Sequence, residues 1–322
     1  MFAGVAAVLV VVAGFAVAAG VAAGRAGTDL TGLRIMVPNA PGSGYDVTAR
    51  TAAKALEDAG IVRGVEVFNL PGAGGSVGVQ RLVYERGSGR LLMLMGLGLI
   101  GSQYSNTTDT LRQTTPIARL IQESNMVVVT HDSPYRTLAD LVAAWRADPA
   151  AVAVGGGSLP GGPDHVAPML IARTVGITPR TVHYVRYDGG GELLAALLGK
   201  RVAFGVSGAG EYADQVRSGQ LRVLAVTGPA PQPGLSAPTL REAGVDLVFT
   251  NWRGILAPPG LSARDGRALR DAIDRLHRSD AWRAALTRNG WTDAYLGPAD
   301  FETFLDAEVA RLDAVMTDLG LT

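Results

Sequence analysis

From residue 32 onwards the chain alternates short apolar runs with longer segments whose apolar side chains recur at helical spacing, and that alternation fixes the class of fold open to it. Residues 32–37, 65–69 and 91–95 read as strands, and residues 45–59 and 76–86 as helices. The first helix places Val47, Ala52, Ala55, Leu56 and Ala59 on one face. Further strands are expected at 117–121, 126–130, 151–154, 182–185, 202–206 and 221–226, with helices at 137–147, 162–175, 189–198 and 211–218. Helices of this length between strands are the crossovers of a mostly parallel α/β sheet. A proline-rich stretch, 229–238, interrupts the pattern; strand-like 247–250 and 254–257 then lead into helices at 262–278, 281–288 and 298–319.

Ahead of this pattern, residues 1–24 carry no charged side chain, and the run ends at Arg25. A helix of that length spans about 30 Å of hydrocarbon at roughly 1.5 Å per residue. Its small residues, Val17-Ala18-Ala19 or Val21-Ala22-Ala23, also suit a signal peptidase, although a basic n-region is missing. Nothing in it is amphipathic, so export is expected, with residues 1–27 as a signal peptide or N-terminal membrane anchor. The chain has no cysteine, which removes a disulfide framework, a thiolate metal site, a cysteine nucleophile and a lipid-modified cysteine; any tether would have to be residues 1–24. Twenty-nine basic and 29 acidic side chains give a net charge of zero, which argues against a nucleic-acid partner.

The chemistry lies in the loops where strands become helices. PNAPGSGYD (residues 38–46), NLPGAGGS (69–76) and GGGSLPGGPDH (155–165) each set glycines and small hydroxyls just before a helix. Free backbone N–H groups and the positive end of the helix dipole attract anions there. In an open α/β sheet these loops lie at the carboxyl edge of the strands, where ligands bind. YDGGG (187–191) and VSGAG (206–210) add two more, so the five describe a pocket lined by backbone amides. Asp46, Asp164 and Asp188 sit at or near helix starts, where an aspartate caps free N–H groups or accepts a hydrogen bond from a ligand. Tyr45 and Tyr187 suit pocket walls, and Ser43, Ser76, Ser158 and Ser207 can donate to carboxylate oxygens.

Enzyme motifs fail against these loops. The dinucleotide pattern G-x-G-x-x-G meets Val47 after Gly42 and Gly44, and Val77 after Gly72 and Gly74. The phosphate-binding loop fails at Gly199-Lys200-Arg201, and the nucleophile elbow at Gly205-Val206-Ser207-Gly208, where Ala209 holds the last position. A Ser207, Asp246, His277 order remains an alternative hydrolase reading, but His277 falls inside an amphipathic helical pattern. His131, His165 and His183 are dispersed, so neither a metal nor a cofactor is expected.

VPNAPGSGYDVTART (37–51) and VEVFNLPGAGGSVGVQRL (65–82) resemble the opening of the tripartite tricarboxylate transporter substrate-binding receptors, the TctC or Bug family. The resemblance continues through VGGGSLPGGPDH, VHYVRYDGGGELLAALLGKRVAFGVSG, GQLRVLAVTG and APTLREAGVDLVFTNWRGILAPPG, nearly all of the chain after Leu33. It implies an exported, monomeric, non-enzymatic receptor with the two-lobed, type II periplasmic-binding-protein fold. The lobes would close on a small di- or tricarboxylate, held by main-chain amides and bridging waters, and deliver it to the permease subunits of the transporter. A sensor kinase is the alternative partner. Lobe 1 is expected at residues 28–129 with 250–322, and lobe 2 at 130–249. Residue by residue, Asn39, Ala40, Gly42, Ser43, Gly44, Tyr45 and Asp46 match the family's first carboxylate-gripping loop, with Ser43 in place of a common glycine and Tyr45 where a smaller residue is frequent. Gly72, Ala73, Gly74, Gly75 and Ser76 match the second loop, and Gly157, Ser158 and His165 the first loop of the other lobe. Tyr187, Asp188, Gly189, Gly190 and Ser207 follow in the next two.

Overall fold

A computed structural model describes residues 30–105 and 110–320. The expected leader, residues 1–27, lies outside them. No helix among the described residues is long and apolar enough to cross a membrane.

The strands are β1 (Arg34–Val37), β2 (Glu66–Asn69), β3 (Leu91–Gly96), β4 (Thr115–Thr130), β5 (Val154–Gly156), β6 (Tyr184–Arg186), β7 (Phe204–Gly208), β8 (Leu221–Val226), β9 (Thr250–Ala257) and β10 (Thr292–Leu296). The helices are α1 (Gly44–Asp58), α2 (Ser76–Tyr84), α3 (Leu97–Ser105), α4 (Leu138–Ala147), α5 (Pro163–Thr174), α6 (Gly190–Leu198), α7 (Ala213–Arg217), α8 (Ala263–Arg278), α9 (Asp280–Asn289) and α10 (Pro298–Leu319). The strand order is β2-β1-β3-β9-β4-β7-β5-β6, with β8 and β10 also paired to β4.

The sheet is mixed rather than mostly parallel. β1 pairs in parallel with β2 and β3, and β5 with β6 and β7, but β9 and β4 run antiparallel to the strands they join. β4 is the spine: its residues up to Ser124 pair with β9, and from Asn125 to Thr130 it pairs with β7 and β8. The polar Gln122-Glu123-Ser124-Asn125 segment breaks the apolar alternation, which is why the sequence predicts two strands there. Its backbone stays extended because both flanks are paired, Glu123 with Asn251 and Asn125 with Gly208. Likewise 247–250 and 254–257 resolve into the single strand β9, whose polar centre Asn251-Trp252-Arg253 hides its continuity. α3 and β10 are additions that the sequence does not predict; glycines at 98 and 101 argue locally against a helix, and tertiary packing overrides them.

The last helix bridges the two halves of the sheet. Pro298 fits the first turn of α10 and Gly320, at φ 70°, ends it in the left-handed conformation, so the predicted span 298–319 is the observed one. α10 packs on β4, α3 and α5. Arg173 Nη1 to Asp318 Oδ2 (2.8 Å) and Arg180 Nε to the Asp318 carbonyl (3.1 Å) tie its end down. One buried core accordingly runs from Met36 and Met93 through Leu99, Val127 and Phe204 to Leu312. Trp145 fills the far side, edge-on to Phe204 at 5.0 Å.

Candidate functional site

The carboxyl ends of β1, β2, β5, β6 and β7 all open on one cleft of about 950 Å³, at the upper end of the range for ligand pockets. The helices that follow these strands present their N-termini to it.

The first loop is held by a buried carboxylate. Asp46 Oδ2 accepts from Gly42 N–H (2.9 Å) and Arg50 Nε (2.9 Å), and Oδ1 from Asn69 Nδ2 (2.9 Å), which also donates to the Asn39 carbonyl (3.0 Å). Burial pushes this carboxyl up, but the hydrogen bonds from Arg50, Gly42 and Asn69 outweigh it and hold Asp46 below its ordinary range. Ser43 caps α1, its Oγ accepting from Asp46 N–H at 3.3 Å. Gly42 takes a left-handed φ of 81°. Gly44 answers a close approach, since a Cβ there would lie 2.5 Å from Arg253 Nη2. Burial raises the Tyr45 hydroxyl to about 12, so it stays protonated.

Opposite stands the second set of loops. Gly157 N–H donates to Asp164 Oδ2 (3.1 Å), and Ser158 Oγ accepts from Asp164 N–H (3.1 Å). Gly189 N–H donates to the Gly157 carbonyl (3.2 Å) and Tyr187 N–H to that of Gly156 (2.9 Å), which locks two glycine loops together. Burial pushes His165 down to about 4, so its ring is neutral, and Nδ1 accepts from Gly161 N–H at 3.2 Å. The proton therefore sits on Nε2.

Of the twenty residues singled out from the sequence, fifteen line the cleft: Asn39, Ala40, Gly42, Ser43, Gly44, Tyr45, Gly72, Gly74, Gly75, Gly157, Ser158, Tyr187, Asp188, Gly189 and Gly190. Five stand behind its wall. Asp46 and His165 fasten their own loops, as above. Ala73 lies within the short turn before α2 at φ 46°. Ser76 is buried, its Oγ 3.4 Å from that of Ser102. Ser207 is buried and donates to Glu211 Oε2 at 2.8 Å.

The floor was not read from the sequence. Arg253 on β9 ion-pairs with Glu123 on β4, donates to Thr48 Oγ1 at 3.1 Å and lies 5.9 Å from the Trp291 ring centre. Thr48 Oγ1 in turn donates to the Gly44 carbonyl (2.8 Å), so the guanidinium sits directly under the start of α1. Asn251 Nδ2 donates to Glu123 Oε1 (3.1 Å), and Asn125 Nδ2 to Asp164 Oδ1 (3.0 Å). Burial, then the charge of Glu211, raises Asp164 to about 8 against the hydrogen bonds from Gly157 and Asn125. Burial and then the charge of Glu123 raise Glu211 too, against the Ser207 hydrogen bond. The polar interruptions of β4 and β9 were the available signal for these residues.

The hydrolase alternative fails on partners. Ser207 engages Glu211, Asp246 pairs with Arg241 at 2.9 Å, and His277 pairs with Asp293 at 2.9 Å while stacking on Tyr295. Among the described residues no three His, Asp or Glu side chains are grouped to hold a metal.

Two half-sheets sharing one long strand, with glycine loops and helix ends facing a common cleft, make up the fold of the periplasmic solute-binding proteins. Solved structures with this fold include a Rhodopseudomonas palustris protein with adipate, 24% identical, TM-score 0.79, covering 90% of this chain and 97% of that one. MatC of the same organism, with bound malate, is 21% identical, TM-score 0.73, covering 89% and 99%. BugT of Bordetella pertussis is 27% identical over 299 residues, 89% of each chain. The profile of the tripartite tricarboxylate transporter family receptors, TctC, matches residues 34–321, and the chain belongs to that family. It is a solute-binding receptor and not an enzyme.

Proposed function

We propose that this receptor captures a small organic carboxylate in the cleft and delivers it to the permease of a tripartite tricarboxylate transporter. The observation that carries the reading is the convergence of four helix N-termini, those of α1, α2, α5 and α6, on one cavity through glycine loops. Unpaired N–H groups and aligned dipoles there favour a carboxylate without needing a basic cavity. Malate in MatC and adipate in the second neighbour support ligands of this class. The fifteen cleft-lining residues above are the proposed ligand contacts, with the Ser43 and Ser158 hydroxyls as donors together with the glycine amides other than those of Gly42, Gly75, Gly157 and Gly189, which already donate within the loops. Residues 28–129 with 250–322 form the first lobe in this reading and 130–249 the second; closure bends β4 and β9 where their pairing changes. Export as a monomer, by way of residues 1–27, belongs to the same proposal.

Thermal denaturation of the purified protein against four- to six-carbon organic acids tests it. A bound acid at a hundred times its Kd adds about 2.7 kcal/mol of stability and raises Tm accordingly. No shift with any carboxylate, and none released on denaturing the freshly purified protein, overturns the reading.

A further inference from the structure

We propose that the end of lobe 1 opposite the cleft is a membrane-contact surface, held on the headgroups of an anionic phospholipid bilayer beside the uncharged residues 1–24. The proposal does not depend on what the cleft binds.

Four segments of the chain meet at that end. β1, β2 and β3 run in parallel away from it; Gly32 N–H donates to the Arg63 carbonyl (3.1 Å), Arg34 N–H to that of Arg90 (2.8 Å) and Gly87 N–H to that of Pro259 (2.8 Å). A Cβ on Gly260 would lie 2.8 Å from Arg86 Nη1, and one on Gly89 would lie 2.6 Å from Asp265 Cβ, so the turn at 86–90 packs on the start of α8. Five exposed arginines, Arg63, Arg86, Arg90, Arg264 and Arg267, stand on these segments, and none of their guanidiniums has a hydrogen bond or ion pair with another described residue. The carboxyls nearby are engaged. Glu57 accepts from Val65 N–H (2.9 Å), Asp58 pairs with Lys54 (2.9 Å), Glu85 pairs with Arg34 (3.5 Å) and Arg81 (2.6 Å), and Asp265 accepts from Ser262 Oγ (2.7 Å). Among the described residues Glu66 alone is left there without a partner. Five free guanidiniums against one free carboxyl make a local positive field that the zero net charge hides.

Two further observations say what covers this face. Tyr84, which ends α2 two residues before Arg86, is 84% exposed, more than any other large hydrophobic side chain described. An aromatic ring with a polar tip suits the interface of a bilayer, and each basic side chain beside it strengthens attachment to anionic lipid about fivefold. The chain also arrives at this end: Arg63 N–H donates to the Leu30 carbonyl (3.5 Å), and five residues, 25–29, separate Leu30 from the uncharged run. Five residues reach at most about 18 Å. An acidic protein would answer the arginines alone, whereas a bilayer answers the arginines, the tyrosine and the apolar run together. Seated this way, the receptor turns its cleft to the aqueous phase for capture and lifts off to present it to a permease, which a hold screened by salt permits.

The chain has no cysteine, so one substitution places a fluorophore uniquely. Ser88→Cys reports on the proposed face and Ala40→Cys on the cleft mouth. Full-length protein is reconstituted with vesicles of phosphatidylcholine, alone or with one-third phosphatidylglycerol, that carry a headgroup quencher. An apolar leader partitions into both compositions alike, so the difference between them reads the arginines. We expect the Ser88 label to be quenched about threefold more with phosphatidylglycerol, 1 M salt, where the Debye length is about 3 Å, to erase the difference, and the Ala40 label to respond to neither. Arg86→Gln with Arg264→Gln, both at exposed unpaired side chains, should leave Tm unaltered and weaken the phosphatidylglycerol-dependent attachment about 25-fold, at roughly fivefold each. A Ser88 label indifferent to phosphatidylglycerol or to the arginine substitutions, or an Ala40 label quenched as strongly, overturns the proposal. Quenching by membranes that keep their proteins, with none by vesicles of the lipids extracted from them, assigns the face to an acidic protein and overturns it equally.

Discussion

The two halves of the cleft use one backbone device in opposite electrostatic settings. On the first side the start of α1 lies over Arg253, close enough that residue 44 has to be glycine. On the second side the corresponding loops lie over carboxyls, Asp164 under Gly157 and Glu211 beside Gly190. A helix N-terminus is therefore not by itself an anion site; the side chain placed behind it decides whether anion affinity is reinforced or already satisfied from within the chain. One half sets a guanidinium behind its helix end, and the other sets carboxyls there.

Removing the cation under the first half should have the largest effect. Arg253→Met leaves Glu123 buried without its counter-charge, and breaking such a pair costs about 3–5 kcal/mol, measured by urea denaturation. The double variant with Glu123→Gln should recover most of that loss. A single variant as stable as wild type would show that the pair does not set the charge of the floor.

On the second half, Gly157→Ala places a methyl 2.8 Å from the carbonyl carbon of Gly189 and has to push two backbone loops apart. About 1–3 kcal/mol of stability should be lost, together with ligand affinity. Unchanged stability would mean that the paired loops are not rigid.

Asp164 gives the comparison a pH signature. Its carboxyl ionises near 3.8 in an unfolded chain and near 8 in the folded protein. Between these limits the folded state binds the extra proton, so stability is full below about pH 4 and declines as pH rises to about 8, by up to ~1.4 kcal/mol per pH unit for one group. Asp164→Asn should flatten the decline, followed by thermal melts across that range; Asp46, held low on the first half, contributes nothing of this sign. An unaltered slope in the variant would move its origin away from the second half.

Much of the first half was legible in the sequence because its signals are local. Gly42, Ser43 and Asp46 lie within five residues of one another and announce a turn and a cap. The predicted α10 matched for the same reason, with proline at one end and glycine at the other. The floor was hidden because Glu123 and Arg253 are 130 residues apart and meet only through the antiparallel pairing of β4 with β9. Local periodicity treats a polar run inside an apolar strand as a break, so the feature that marks the floor was read as two loops. The zero net charge concealed the same asymmetry, since a global sum is silent about a local excess of carboxyls.

The smallest effect concerns the side chain of the N-cap residue itself, which closes the start of α1 but not those of α5 and α6. Ser43 Oγ accepts from Asp46 N–H, whereas Gly162 and Gly189 begin α5 and α6 with no side-chain hydrogen bond of their own. Ser43→Ala should cost about 1 kcal/mol, and Ser43→Gly only a few tenths. Because the hydroxyl acts as an acceptor in the cap, its own proton remains available to a carboxylate in the cleft. The two variants therefore separate the roles. If Ser43 only caps, alanine lowers Tm more than glycine and both leave carboxylate affinity unchanged. If Ser43 also donates to the ligand, both lose affinity alike, whatever they do to Tm, because both lack the same proton.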